Sequence, residues 1–152
     1  MVKKRPAHKQ IVNRRARYDY DLDDSLVVGM ELTGAETEAI RLGQAHIRGA
    51  YVTIKGNELW LINSTIAGGK GLHIEEDQKT RSRKLLAKRK EIEALISSKT
   101  QGRTIVPLEI LSNGRYIKLR IALGKGKKRY DKRQVLKERD AKRHIETESR
   151  YR

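Results

Sequence analysis

The sequence predicts a mainly β protein: a small, closed or partly closed antiparallel β-barrel with helices on its flank and a basic C-terminal tail. Three observations lead there. Residues 50–62 and 104–123 alternate apolar and polar side chains around glycine-containing turns, as hairpins do. Segments with helical spacing interrupt the strands rather than alternating regularly with them. Charge is gathered at the two ends, leaving a nearly balanced body between them.

Taken in chain order, residues 18–33 (YDYDLDDSLVVGMELT) read as extended, with Asp19, Asp21, Asp23 and Asp24 on an outer face. Gly34 opens a short amphipathic helix, AETEAIRLG, and Gly43 closes it in the usual C-terminal position. In 50–62 Val52, Ile54, Leu59 and Leu61 alternate with polar or aromatic neighbours around a Gly-Asn turn, and Trp60 is expected to pack on that hairpin. Residues 67–83 (AGGKGLHIEEDQKTRSR) read as a long exposed loop. A helix is expected over 84–98, with Leu85, Lys88 or Arg89, Ile92 and Ile96 on one face. The second hairpin follows, with Ile117, Leu119, Ile121 and Leu123 inward and Asn113-Gly114 supplying the positive φ angles of a tight turn. Residues 134–152 are rich in helix formers but offer only Val135, Leu136, Ala141 and Ile145 as apolar anchors. A helix alone in water is marginal on such terms, so a tail that orders on a partner is expected.

The chain has 152 residues and a formal net charge of +16. Residues 1–17 carry +7 with no acid, residues 125–152 carry +7, and residues 18–124 only +2. Domain boundaries follow: a basic flexible arm at 1–12, the barrel at 13–124, and the basic tail at 125–152. Two cationic arms on a balanced body point to nucleic acid. No apolar run approaches the roughly 18 residues of a membrane span, and MVKKRPAHKQ has no apolar stretch of the signal-peptide kind. The absence of cysteine leaves no disulfide or thiolate metal site and fits a reducing cytoplasm. With no Phe, a multi-ring base-stacking platform is not expected; Tyr, at six copies, is the main aromatic.

A catalytic constellation is missing. GKGKK (124–128) lacks the GxxxxGK[ST] pattern of a phosphate loop. His8, His46, His73 and His144 have no metal-ligand spacing, and His46 reads as a solvated edge residue. The aspartates of 19–24 read as a solvated strand face rather than a two-metal nuclease site. The expectation is a binding protein with no catalytic residues, metal or cofactor.

Five blocks in register then carry a resemblance: NRRARYDY (13–20), LTGAETEAIRLG (32–43), the hairpin from Ala50, TRSRKLL (80–86) and GKGKKRYDKR (124–133). Together they resemble the SsrA-binding protein (small protein B, SmpB) family, the partner of transfer-messenger RNA in bacterial ribosome rescue. The resemblance implies an oligonucleotide-binding (OB)-type barrel without catalysis, cytoplasmic and monomeric when free. The barrel would grip the tRNA-like domain of the RNA. The tail, helical when bound, would lie in the decoding centre and empty mRNA channel of the small ribosomal subunit.

Carried over residue by residue, the resemblance implies RNA contacts at Asn13, Leu86, Gly126, Lys127 and Lys128. Arg14, Arg15, Arg17 and Lys125 lie close enough to join them. Asp131, Lys132 and Arg133 match the D-K-R motif needed for ribosomal accommodation. Tyr130, whose ring can stack on a base, and the cations Lys137, Arg139, Lys142 and Arg143 extend the ribosome-facing tail. Glycines 124 and 126 are expected to let the backbone leave the last strand towards a phosphate chain, and Asp131 to cap the tail helix. The chain departs from the family pattern at Val27, where a glutamate is common, at Glu38 and Ala39 in place of Lys-Ser, and in DQKTRSR (77–83), which lacks the usual Asp-Pro. Composition alone leaves a second reading open, a ribosomal or ribosome-assembly protein.

Overall fold

The structure, a computed structural model, describes residues 10–69, 71–99, 102–127 and 129–150. The elements in chain order are β1 (Ile11–Val12), α1 (Ala16–Asp19), β2 (Tyr20–Met30), α2 (Gly34–Arg41), β3 (Ala45–His46), β4 (Tyr51–Lys55) and β5 (Glu58–Ile62). They continue with β6 (Thr65–Ile66), α3 (Glu76–Lys79), β7 (Arg83–Leu86), α4 (Arg89–Lys99), β8 (Thr104–Leu111), β9 (Lys118–Gly126) and α5 (Arg129–Arg150). A seven-stranded sheet runs β1-β8-β4-β5-β7-β2-β9, and the further pairing of β8 with β9 closes it into a barrel. Each pairing is antiparallel, and closure removes the exposed edges an open sheet would present. The mainly antiparallel β fold with flanking helices is the one the sequence predicts.

Both hairpins form. The first turns at Gly56 and Asn57, with φ of 60° and 59°; two successive positive φ angles match the twist of the flanking strands. The second is built differently from expectation. Neither Asn113 nor Gly114 has positive φ, and the connection spans 112–117 as an open loop. Ser112 and Ile117 are buried at its two ends, and Arg41 Nη2 donates to the carbonyl of Arg115 at 3.0 Å, tying the loop to α2.

The helix expected over 84–98 is divided. Residues 83–86 form β7, whose Leu85 is paired with both Leu59 and Met30, and only 89–99 are helical. Period-two burial decides it: Arg83 and Leu85 are buried while Leu86 is exposed. The aspartates also leave the single strand face proposed for them. Asp19 belongs to α1, and the β2–β9 register shifts between Leu22 and Ser25, across Asp23 and Asp24. The stretch read as an exposed loop (67–83) contains α3 and ends in a wholly buried side chain, Arg83.

β9 does not end at Gly124. It runs through Gly126, which pairs with Tyr20. Gly124 sits in a tight place: a Cβ there would lie 3.0 Å from both Leu22 Cδ2 and Tyr20 Cβ, so these neighbours would have to give by a few tenths of an ångström. The tail forms α5 from Arg129 to Arg150, the helix that the sequence reading expects this segment to adopt on a partner. Asp131 therefore lies within the first turn of α5 rather than ahead of it at the N-cap. Glu138 and Lys142 stand four residues apart, as do Lys142 and Glu146, a spacing that supports an isolated helix.

The barrel interior holds Val28, Val52, Leu59, Leu61, Leu85, Ile105, Leu119 and Ile121, with Ala39 and Ile40 of α2 and Leu95 of α4 joining them. Leu119 is fully buried. Leu119→Ala is expected to cost about 2–5 kcal/mol, the range for deleting a buried large aliphatic group. Chemical denaturation monitors it, and an unchanged midpoint would place Leu119 outside the packed interior.

Candidate nucleic-acid interface

Two surfaces collect the residues singled out in the sequence. The first surrounds α1, where β1 enters and β9 leaves. Asn13 is buried, with its backbone N–H donating to Leu108 O at 2.8 Å and its Nδ2 to Pro107 O at 3.0 Å. It thus clamps the incoming chain to β8. Arg14, Arg15 and Arg17 follow it, all exposed. Lys127 is tied to the same turn by its backbone N–H to Asp19 O at 2.9 Å and its Nζ to Arg17 O at 2.8 Å. Lys125 and Gly126 are exposed on the last residues of β9. Asn13, Arg15, Arg48 and Tyr51 line a cleft of about 410 Å³ here. Cations beside an aromatic ring suit phosphate and base together. Arg48 and Tyr51 escaped the sequence reading because β3 and β4 approach α1 only through the fold.

The second surface lies at the other end of β2. Gly29 is opposite Leu86, and Val27 is opposite Arg120. A Cβ on Gly29 would stand 3.2 Å from Leu86 Cβ, so the missing side chain gives Leu86 its place on the outer face. Leu86 is 51% exposed and Val27 40% exposed, with Lys118 and Arg120 beside them on β9. An apolar patch rimmed by cations is the result. Asp21, opposite Lys125, and Gly29, opposite Leu86, are eight positions apart on β2. At strand rise that is about 25 Å, so the fold places Leu86 well away from Lys125–Lys127.

The tail cations Lys132, Arg133, Lys137, Arg139, Lys142 and Arg143 all lie on α5. Arg133 and the four beyond it are exposed. Lys128 and the side chains of Tyr130 and Asp131 lie outside the described residues, as do Lys3, Lys4, Arg5 and Lys9 of the N-terminal arm. Trp60 is half-buried on the outer face of the first hairpin, in a groove with Thr53, Lys55 and Ile62, and His46 is exposed.

A buried ionic network supports the second surface from within. Thr33 and Glu36 cap α2 reciprocally: Glu36 N–H donates to Thr33 Oγ1 at 3.2 Å, and Thr33 N–H to Glu36 Oε1 at 3.1 Å. Glu36 Oε2 also accepts from Arg83 Nε at 2.6 Å, and Oε1 from Arg81 Nη2. Arg83 is wholly buried. Its remaining donors reach Ser64 Oγ and the carbonyls of Ser64, Gln78, Lys79 and Arg81, at 2.9–3.3 Å. Burial works to raise the Glu36 pKa, but the hydrogen bonds from Arg81, Thr33 and Arg83 outweigh it and hold the carboxyl below its ordinary value. Burial draws the Arg83 pKa down, against the opposing pull of Glu36. The T-x-x-E spacing at 33–36 was a readable sign of the cap; the partner 47 positions away was not.

Among the described residues no group of three or more His, Asp or Glu could hold a metal ion, and no helix is long and apolar enough to cross a membrane. The family model for SmpB protein matches residues 10–151. The chain belongs to the SmpB family. It is 42% identical over 142 residues to an SsrA-binding protein of Paracoccus denitrificans, covering 91% of each chain. To the SsrA-binding protein of Chlorobium luteolum it is 41% identical over 139 residues, covering 90% of this chain and 88% of that one. A solved SmpB structure, described as "tmRNA-SmpB: a journey to the center of the bacterial ribosome", superimposes with a TM-score of 0.66 at 34% identity. It covers 84% of this chain and 94% of that one. The SmpB fold thus accounts for the barrel, its flanking helices and their order.

Proposed function

We propose that this protein binds the tRNA-like domain of transfer-messenger RNA and delivers it to stalled bacterial ribosomes for trans-translation. The observation that carries this reading is the SmpB match over residues 10–151, joined by relatives named SsrA-binding protein over about nine-tenths of the chain. The protein acts by binding, without turnover, in the cytoplasm.

Labour is divided by surface. The barrel holds the RNA: Arg14, Arg15, Arg17, Lys125, Lys127 and Lys128 meet phosphates, and Asn13 holds the turn that presents the first three. Leu86 packs its exposed isobutyl group on a ribose or base. The tail serves the ribosome, with Tyr130 to Arg133 at its base and Lys137, Arg139, Lys142 and Arg143 along it. On a helix those last cations point in several directions, which suits the decoding centre and mRNA channel, where phosphates lie on more than one side.

The test is a pull-down from cells followed by RNA sequencing. A single dominant tRNA-like RNA is expected. Ribosomal RNA from assembled subunits at one copy each would favour a ribosomal or assembly protein instead. Binding should also be steeply salt-dependent, because each cation that meets a phosphate releases a counterion. With six such contacts, affinity should fall about a thousandfold between 50 and 200 mM salt. A flat salt profile in filter binding would remove these side chains from the interface.

A further inference from the structure

We propose that Tyr18 and Asp19 form a seat that sets the direction of the tail helix. Lys132, in the second turn of α5, places Nζ 3.4 Å from Asp19 Oδ1 and 5.7 Å from the centre of the Tyr18 ring. Arg15 uses the same two partners, with Nε 3.7 Å from Asp19 Oδ2 and its guanidinium carbon 5.2 Å from the Tyr18 ring centre. One carboxylate and one ring therefore hold two cations, one from the barrel and one from the tail. The seat is itself fixed, because Asp19 O accepts from the Lys127 backbone N–H at the end of β9.

Among the described residues, Lys132 ties the start of α5 to the barrel through these two contacts, and the direction of a helix is fixed by its first turns. Eighteen residues of α5 lie beyond Lys132, so a small loss of order there becomes a large sweep at Arg150. The seat is weak by construction. Asp19 and Lys132 are each about one-third exposed, and a surface ion pair together with a cation–π contact favours the seated tail only about tenfold. A tail held at that level is aimed yet releasable, and phosphate on the ribosome can take over Lys132. The geometric half of the inference stands on these contacts alone; its consequence for tagging rests on the ribosome-rescue reading.

The chain has no cysteine, so two introduced cysteines give unique labels. Spin labels at Lys55→Cys and Ala141→Cys in the full chain, free and bound to transfer-messenger RNA, report the angle between barrel and tail. One narrow distance distribution is expected. Asp19→Asn, and separately Tyr18→Leu, should broaden it, and the exchanged pair Asp19→Lys with Lys132→Glu should narrow it again, which a merely structural role of Asp19 would not produce. In a tagging assay Asp19→Asn should lose severalfold in rate with RNA affinity undiminished. A distribution unchanged by Asp19→Asn, or still broad in the exchanged pair, overturns the seat. Tagging at or above the wild-type rate with a broadened distribution overturns its role in aiming the tail. Failure of the wild-type chain to bind transfer-messenger RNA would sink the functional reading, while the distances in the free protein would still decide the seat.

Discussion

Glu36→Ala is expected to remove about 3–5 kcal/mol of stability, the cost of leaving a buried charge without its partner. Arg83 is wholly enclosed and has only neutral oxygens left once the carboxylate is gone. The loss exceeds that of an exposed pair such as Arg89–Glu93, for which under about 1 kcal/mol is expected. Acid should reproduce part of it. The folded pKa of Glu36 is lowered, so the unfolded chain takes up the proton first. The contribution is therefore complete above the unfolded carboxyl value, about 4.3, and is lost as pH falls through the lower folded value. The difference in denaturation midpoint between wild type and Glu36→Ala should therefore be smaller at pH 3 than at pH 7. A variant as stable as wild type at pH 7 would mean that Arg83 is adequately solvated by its carbonyl partners.

Replacing Asp131, Lys132 and Arg133 together by alanine is expected to abolish tagging of stalled chains while leaving RNA affinity nearly intact. The three lie in the first and second turns of α5, whereas the proposed RNA contacts lie in the turn leading into α1 and on α1 itself, at and just beyond the end of β9, and on β7. The triple change removes the proposed ribosomal motif and the Lys132 contact to Asp19 and Tyr18 at once. Alanine also favours helix, so loss of tagging would not reflect a broken helix. Wild-type tagging by this variant would remove the tail base from ribosomal accommodation.

The barrel was legible because its signals are local. Alternation in 50–62 and in 116–123, and helical spacing closed by Gly43, need only neighbouring residues, and all three elements form. The errors arose where distant pairing decides. KLL in 84–86 reads as easily as the first turn of a helix as it does as a strand. Hydrogen bonding to β5 and β2 on both sides made it a strand. Asn113-Gly114 carried a tight-turn signature, yet Arg41 and the burial of Ser112 and Ile117 hold a wider loop. Arg83 looked like one more cation in a basic loop, and only the arrival of Glu36 makes its burial possible. The interface was legible by resemblance more than by physics. Asn13 and Leu86 carry no charge pattern, and Arg48, Tyr51 and Arg120 join the two surfaces only after folding.

The division of labour between barrel and tail is tested most directly by the affinity of the chain ending at Arg133 for transfer-messenger RNA, measured by filter binding beside the full chain. Affinity within a few-fold of the full chain, with the same steep salt dependence, is predicted, since Asn13, Arg14, Arg15, Arg17, Leu86 and Lys125–Lys128 all remain. Affinity that vanishes with residues 134–152 would contradict the account and move the RNA grip from the barrel to the tail.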